Sequence, residues 1–228
     1  MSVTGKFAAA LAVIVLLAGC GSEKQGPNPV VSAIGGMAKS GMEKVKGGKA
    51  AEKPAGKSVT PAERRAKLEA AGKPLLRVNS EVLDQTSLMT IADTKGDVIT
   101  WKTQDGATFS QRNGVLIQTR GLGADLMSAD APSVGQLRSG ASYQRIYYFL
   151  GDDDQGTRRT YTCTASVVGQ ESITIMARNH ATTHVTEVCE RPLGTLSNDY
   201  WIEGGSIRKS RQWVSGGIGY IDFERVID

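Results

Sequence analysis

RTYTCTASVVGQESITIMARNHATTHVTEVC, residues 159–189, is the stretch that decides the fold class. Threonine, valine and isoleucine recur through it, and these residues favour the pleated surface of a β-sheet. Gly169-Gln170 interrupts the run and predicts a turn. The pattern therefore predicts three short strands, over residues 159–168, 172–178 and 182–189.

Similar β-rich runs lie on both sides of this stretch, from Leu75 to near the end of the chain. Turn residues separate them at short, even intervals, which is typical of an all-β sandwich or barrel-like fold with antiparallel neighbours. Further strands are expected over residues 75–79, 88–93, 98–102, 108–112, 115–119, 143–150, 199–203, 207–214 and 218–224. Turns are expected at residues 94–97, 104–106, 112–114 and 151–156. Residues 122–139 break the rhythm, and a helical turn is expected near residues 124–128.

One short helix is predicted ahead of the strands. Thr60-Pro61-Ala62-Glu63 is a capping box, in which Thr60 is the N-cap, proline takes the first helical position and Glu63 reaches back to the cap. Gly72 suits the position that ends a helix. We therefore expect a surface helix over residues 61–71 at the start of a single β-rich domain, residues 59–228.

The folded part of the chain contains two cysteines, Cys163 and Cys189. In an exported protein such a pair predicts a disulfide. If residues 159–189 form a flat meander of three strands, however, the two cysteines lie two strands apart, roughly 10 Å at the usual strand spacing, which exceeds disulfide reach. Either the third strand turns away to close against the first or the disulfide does not form; we expect the disulfide.

The N-terminus carries an export signal. Leu17-Ala18-Gly19-Cys20 ends an apolar run that begins at Phe7 and is too short to cross a membrane. This lipobox predicts a signal peptide over residues 1–19 and acylation of Cys20, with several acyl chains giving a stable anchor. By analogy with the enterobacterial sorting rule, Gly21 favours the outer membrane, so we expect a lipid-anchored protein on its periplasmic face.

Residues 20–58 are rich in Gly, Ala, Lys, Ser and Pro, a composition that predicts a disordered basic tether. Residues 21–76 carry eleven Lys or Arg against five Asp or Glu, whereas residues 77–228 carry fifteen against eighteen. The overall charge of +4 therefore belongs to the tether and not to the domain. A basic arm beside a membrane suits anionic lipid or acidic polymer, and we expect no nucleic acid partner.

Other patterns give weak chemical signals. His180 and His184 lie near Glu187 and Cys189, but on a strand the two histidines stand about 13 Å apart, too far to hold one ion. No Gly-x-Ser-x-Gly elbow is present. Asp152-Asp153-Asp154 is interpreted as a solvated hairpin tip, and Gly121-Leu122-Gly123 as a turn. We expect no metal, no cofactor and no catalytic residue.

Aromatic side chains beside arginines give a more suggestive pattern near the C-terminus. Such side chains either stack on sugar rings and pair with acidic polymer, or they pack in the core. Alternation along residues 208–214 places Trp213 on the same face as Lys209 and Arg211. The candidate residues for contact with a partner or glycan are Arg120, Tyr200, Trp201, Arg211 and Trp213.

Four strings of sequence resemble the YjbF family of lipoproteins, also called group 4 capsule polysaccharide lipoproteins. They are TRGLGADL at residues 119–126, DYWIE at 199–203, KSRQW at 209–213 and GYI at 219–221. Gly216-Gly217 departs from the resemblance, since a proline is expected there. The resemblance implies a mostly β outer-membrane lipoprotein that acts with envelope proteins in production or export of extracellular polysaccharide. It implies no catalytic residues.

Two functions remain open at this point. The first is a non-enzymatic accessory whose domain binds an outer-membrane polysaccharide export protein or the polysaccharide itself. The second is a periplasmic enzyme that modifies the polymer, which a cleft with paired carboxylates would favour.

Overall fold

The computed structural model describes residues 59–81, 84–150 and 156–228. The predicted signal peptide, Cys20 and the predicted tether lie outside these residues, as does most of the predicted turn at 151–156. The described helices are α1 (Pro61–Ala70) and α2 (Val134–Ser139). The described strands are β1 (Leu75–Ser80), β2 (Gln85–Lys95), β3 (Val98–Lys102), β4 (Thr108–Arg112), β5 (Val115–Arg120), β6 (Leu126–Ala129), β7 (Ser142–Leu150), β8 (Gly156–Ile175), β9 (Arg178–Arg191), β10 (Gly194–Glu203), β11 (Ser206–Ser215) and β12 (Gly219–Ile227).

The strands form one antiparallel sheet in the order β5-β4-β3-β2-β1-β12-β11-β10-β9-β8-β7-β6. Neighbours along the chain pair with each other, and β1 pairs with β12, so the two ends of the sheet are the consecutive strands β5 and β6. The sheet thus curls into a nearly closed barrel. This architecture confirms the prediction of an all-β, barrel-like fold with a short N-terminal helix.

Side chains bridge the open seam between β5 and β6. Gln118 Nε2 donates to the carbonyl of Met127 at 3.1 Å, and the Arg120 guanidinium donates to the carbonyls of Leu126 and Met127 at 3.3 Å. The Asp125 carboxylate accepts from the Gly121 backbone N–H at 2.9 Å. These bonds occupy edge groups that a sheet end otherwise leaves unpaired.

Helix α1 begins as predicted and ties down one end of the barrel. The capping box at Thr60 and Glu63 is complete. Arg65 is buried, and its two terminal nitrogens donate to the carbonyls of Ile175 and Val226 at 3.0 and 2.9 Å. The helix therefore joins the end of β8 to the end of β12.

The strands predicted at residues 159–168 and 172–178 are in fact one strand, β8. The predicted turn at Gly169-Gln170 is wrong, because a bulge between Val167 and Gly169 absorbs the irregularity while pairing to β9 continues. Strands β8 and β9 are therefore direct neighbours, and Cys163 lies opposite Cys189. The two residues form a disulfide with Cα atoms 3.9 Å apart, so the expected conflict with strand spacing does not arise.

The region after β5 also differs from the prediction. The helical turn expected near residues 124–128 is wrong, since Leu126–Ala129 form β6 and pair with β7. A helix occurs later, at α2, where Ser133 and Gln136 form a capping box and Gly140 adopts the left-handed conformation that ends the helix. Leu137 of this helix is fully buried.

The ladder between β10 and β11 covers only Asp199–Glu203 of β10. Beyond it, the Trp213 backbone N–H donates to the side-chain oxygen of Asn198 at 2.7 Å. The Trp213 ring packs edge-on against Tyr147 and Phe149, with both ring centroids 5.6 Å away. Trp213 therefore fills the gap where the sheet parts.

Two close approaches flatten the barrel and account for specific glycines. A Cβ at Gly114, whose φ is +88°, would lie 2.9 Å from Ile207 Cβ, where β11 meets the turn before β5. A Cβ at Gly217 would lie 2.8 Å from Ala124 Cβ. In the Gly216-Gly217 turn before β12, where the family resemblance suggested a proline, Gly217 therefore has no room for a side chain, whereas a Cβ at Gly216 meets nothing within 4 Å.

The two-residue turn between β8 and β9 holds non-glycine residues in the left-handed region, with φ of 44° at Met176 and 64° at Ala177. That conformation costs roughly 1–2 kcal/mol per ordinary residue. Glycine adopts this conformation without the strain, but it loses more chain entropy on folding. We therefore expect Ala177→Gly to raise the free energy of unfolding by a net of about 0.5–1 kcal/mol, which is about half of the strain. Urea unfolding measures the change. Ala181→Gly in extended β9 is the matched control and should lower it instead; an equal loss at both sites contradicts the prediction.

Within the described residues, no helix is long and apolar enough to cross a membrane.

Candidate functional site

The outward face of β9 to β12 and β1 carries two rows of cross-strand neighbours. Side chains alternate between the two faces of a strand, so paired residues line up across the sheet. The first row is His184, Trp201, Lys209, Glu224 and Arg77. The second row is Thr186, Asp199, Arg211, Asp222 and Asn79. We call these ten residues the outer rows.

Trp201 is the aromatic centre of the outer rows. Its ring stacks on His184 with centroids 4.6 Å apart and planes 4° from parallel, and Lys209 Nζ lies 4.7 Å from the ring centroid. The indole N–H donates to Glu171 at 2.6 Å. A ligand or partner that uses this ring must displace the flexible Lys209 side chain.

Arg211 is held by charge on both sides. Its guanidinium contacts Glu81 at 3.2 Å and Asp222 at 3.4 Å, and it lies over the Tyr220 ring. The hydrogen bond that Arg211 donates to Glu81 raises the pKa of Arg211, and this effect is larger than the opposing effect of burial. Arg77, Asn79, Thr86, Lys209, Asp222 and Glu224 line a polar depression of about 250 Å³ beside it.

Three other predicted contact residues occupy different places. Tyr200 is fully buried, so the prediction that it contacts a partner or glycan is wrong; it lies on the inward face opposite Ser210. Arg120 is half-buried, and its guanidinium donates to carbonyl groups across the seam between β5 and β6. Trp213 fills the gap between β10 and β11. The structure therefore brings Trp201 and Arg211 together on one surface and leaves Arg120, Tyr200 and Trp213 elsewhere.

Beneath the outer rows lies a buried polar network that sequence reasoning missed. Glu187 is fully buried and accepts from Arg145 at 2.7 Å, Asn198 at 2.7 Å, Tyr143 at 2.9 Å and Tyr200 at 3.0 Å. Four donors, two on β7 and two on β10, thus converge on one carboxylate of β9. Their convergence fixes β7, β9 and β10 relative to one another.

The network keeps its phenols protonated. Burial, followed by the negative charge of Glu187, raises the pKa of Tyr143 and of Tyr200 above the usual range. Burial raises the pKa of Tyr147 to about 12, against the charge of Arg145. Tyr143 and Tyr200 therefore remain hydrogen-bond donors to Glu187 at physiological pH.

The two histidines do not converge. His180 is buried with its Nδ1 2.9 Å from Glu203, whereas His184 Nε2 lies 3.0 Å from Asp199. Among the described residues, the side chains close enough to share an ion are Cys163, Glu187 and Cys189. Because the two cysteines are joined to each other, they offer no thiolate to a metal.

A second surface feature is a cavity of about 250 Å³ at one end of the barrel. The turns before β3, β5 and β11 surround it, together with the end of β12. Its lining side chains include Trp101, Gln111, Asn113, Arg225 and Asp228, and we call it the end cavity. Sequence reasoning singled out none of these positions as a site.

Charge is unevenly compensated in the end cavity. Asp97 pairs with Arg112 at 3.4 Å, and Asp228 accepts from Arg208 at 2.6 Å. The buried Nε of Arg225 makes no hydrogen bond, and it forms a looser ion pair with Asp228 at 3.5 Å. Burial lowers the pKa of Arg225, and the charge of Asp228 offsets this only in part.

Comparison with known proteins identifies a family and a related fold. The family described as "Group 4 capsule polysaccharide lipoprotein gfcB, YjbF" matches residues 57–226. The crystal structure of the hypothetical lipoprotein YmcC from Escherichia coli (K12) superposes with a TM-score of 0.62 at 22% identity, covering 72% of this chain and 88% of that one. At that identity the superposition shows a shared fold. No curated protein matches the sequence.

Proposed function

Because the chain belongs to the family of group 4 capsule polysaccharide lipoproteins, we propose that it is a lipid-anchored accessory in production or export of extracellular, capsule-type polysaccharide. In this proposal it lies on the periplasmic face of the outer membrane and acts by binding an envelope partner, such as an outer-membrane export protein, or the polymer. The family match over residues 57–226 carries the proposal. The lipobox at Cys20 supports the membrane anchor.

The outer rows support a binding role. They place an indole and two arginines beside a lysine on the outward side of neighbouring strands, and aromatic and arginine side chains are enriched where proteins contact partners. Glu187 beneath them holds the strands in register. A rigid sheet loses little conformational entropy when it binds.

Site-specific photocrosslinking in intact cells tests this role. With the crosslinker at Lys209, we expect an adduct that is absent when the crosslinker replaces Tyr148, an exposed residue on β7. A protein partner gives an adduct of discrete mass, whereas the polymer gives a polydisperse one. Deletion of the gene should also reduce secreted polysaccharide. Equal labelling from both positions, or unchanged secretion, counts against the proposal.

A periplasmic enzyme that modifies the polymer is the second candidate, because two carboxylates, Asp97 and Asp228, line the end cavity. A glycosidase acid needs a raised pKa. Burial raises the pKa of Asp228. The hydrogen bond that Arg208 donates and the charges of nearby arginines together lower this pKa by more, so the net shift is downward. This direction favours a binding role.

Neutralising both carboxylates separates the two functions. We expect the Asp97→Asn/Asp228→Asn chain to restore polysaccharide secretion to a deletion strain within about twofold of wild type, because neither group acts as an acid or base. An enzyme would lose roughly a hundredfold or more in rate without its general acid. Immunoblotting of the variant controls for its abundance, and a null phenotype at normal abundance would support the enzyme.

A further inference from the structure

The end cavity contains hydrogen-bonding capacity that the described protein does not use. A guanidinium carries five N–H donors, and a buried donor left unpaired costs free energy. The Arg225 Nε–H is buried and makes no hydrogen bond, and Asp228 Oδ1 is an ion-pair contact 3.5 Å away. The indole N–H of Trp101, whose ring lies under the Arg225 guanidinium, is also buried without a partner. Two neighbouring unpaired donors at a cavity indicate a ligand that supplies acceptors.

The charge around Arg225 favours an anionic acceptor. Asp97 pairs with Arg112, and Asp228 accepts from Arg208 at 2.6 and 2.8 Å while lying 3.5 Å from Arg225. Arg225 is therefore only partly compensated, and a ligand anion can complete its pairing. A planar guanidinium binds a carboxylate with two parallel hydrogen bonds, and such charge-assisted pairs are stronger than neutral ones. A carboxylate is therefore the group that Arg225 fits.

The remaining lining favours a sugar around that carboxylate. Neutral polar side chains, Gln111, Asn113 and Ser206, share the wall with Trp101 and Ile207. This mixture suits a ring that has hydroxyl groups on its edge and C–H groups on its face. At about 250 Å³ the cavity is smaller than sites for drug-sized ligands, so it holds one small unit.

We propose that the end cavity binds a carboxylate-bearing saccharide unit, with the carboxylate on Arg225 and the hydroxyl groups on the neutral polar wall. The Arg225 side chain lies over the Trp101 ring, with its guanidinium carbon 5.4 Å from the ring centroid. Arg225 must therefore move off the ring before a ligand reaches the indole N–H. That the saccharide belongs to the exported polymer rests on the proposed function; the site itself rests on the cavity and its unpaired donors.

Calorimetric titration of the full chain in detergent tests the site with two matched sugars. Methyl glucuronide and methyl glucoside differ only in the carboxylate. We expect the glucuronide to bind at least tenfold more tightly, and Arg225→Gln to remove that preference. Arg158→Gln, an exposed arginine on β8, is the matched control and should leave both affinities unchanged.

A second variant tests the sugar ring itself. Asn113 adopts φ of 49° in its turn, so Asn113→Gly keeps the backbone and removes the side chain. We expect it to weaken both sugars by a similar factor of about three to ten, as loss of one hydrogen bond does. Melting temperatures of all variants exclude unfolding as the cause.

Three results overturn the inference: equal affinity for the two sugars, no binding of either, or acetate binding as tightly as the glucuronide. Binding of an acidic peptide with exclusion of the glucuronide overturns it as well and assigns the cavity to a protein partner. These titrations are independent of the secretion assay. Failure of the saccharide site therefore leaves the accessory function standing, and failure of secretion to depend on the gene leaves the site standing.

Discussion

Replacing Cys20 by serine is expected to release the protein from the membrane fraction into the soluble periplasm and to abolish its support of polysaccharide secretion. The lipobox offers one thiol for acylation, and serine supplies none. Each buried methylene of an acyl chain contributes about 0.8 kcal/mol, so loss of several chains removes the anchor entirely. The predicted basic tether, with seven Lys or Arg against three Asp or Glu over residues 20–58, attracts anionic headgroups too weakly to replace it.

Fractionation with immunoblotting measures the first effect, and polymer assay in a complemented deletion strain measures the second. Gly21→Ser is the matched control, because it changes the neighbouring residue and keeps the thiol; it should remain in the membrane. Mass spectrometry of the wild-type N-terminus should show an acylated cysteine. An unmodified thiol, or full secretion from the Cys20→Ser chain, contradicts the anchored accessory.

Local signals predicted the regular parts of the fold well. The bounds of β3 and β4 match the prediction, because these two short strands lie between clear turn signals such as Asn113-Gly114. The capping box predicted the start of α1 for the same reason: both partners lie within one turn of helix. Where neighbours along the chain decide the structure, the sequence is sufficient.

Long-range pairing accounts for the errors. Gly169-Gln170 has the composition of a turn, but pairing with β9 on both sides keeps the strand continuous and turns the irregularity into a bulge. Leu126–Ala129 became a strand because β7 offers an edge to pair with. In both cases hydrogen bonds to the neighbouring strand of the sheet outweighed local propensity.

The candidate sites were predicted only in part for a similar reason. Alternation was enough to place Lys209 and Arg211 on one face, but it did not show that Arg211 is already paired with Glu81, 130 residues away. Glu187 did leave a signal. It lies two residues from Cys189 and therefore on the same inward face, and an inward carboxylate requires a partner.

The largest stability effect is expected at that carboxylate. We expect Glu187→Gln to lower the free energy of unfolding by roughly 3–5 kcal/mol, because it leaves the Arg145 charge buried without a counter-ion. The amide also presents a donor where Glu187 now accepts from Asn198 and Tyr200. Such a loss is a large share of the roughly 5–15 kcal/mol that stabilises a typical domain. Urea unfolding of the non-acylated Cys20→Ser chain measures it.

Two further variants distinguish a buried charge from simple loss of packing. Glu190→Gln changes an exposed residue of the same strand and should alter stability by no more than about 0.5 kcal/mol. Arg145→Met in the Glu187→Gln background removes the unpaired buried charge, so it should recover part of the lost free energy of unfolding. The recovery is only partial because the hydroxyl groups of Tyr143 and Tyr200 then donate to a neutral amide and no longer to a carboxylate. If the double variant is less stable than Glu187→Gln alone, Arg145 stabilises the fold mainly by packing over the Tyr147 ring. That result would contradict the expectation that the ion pair between Arg145 and Glu187 links β7 to β9.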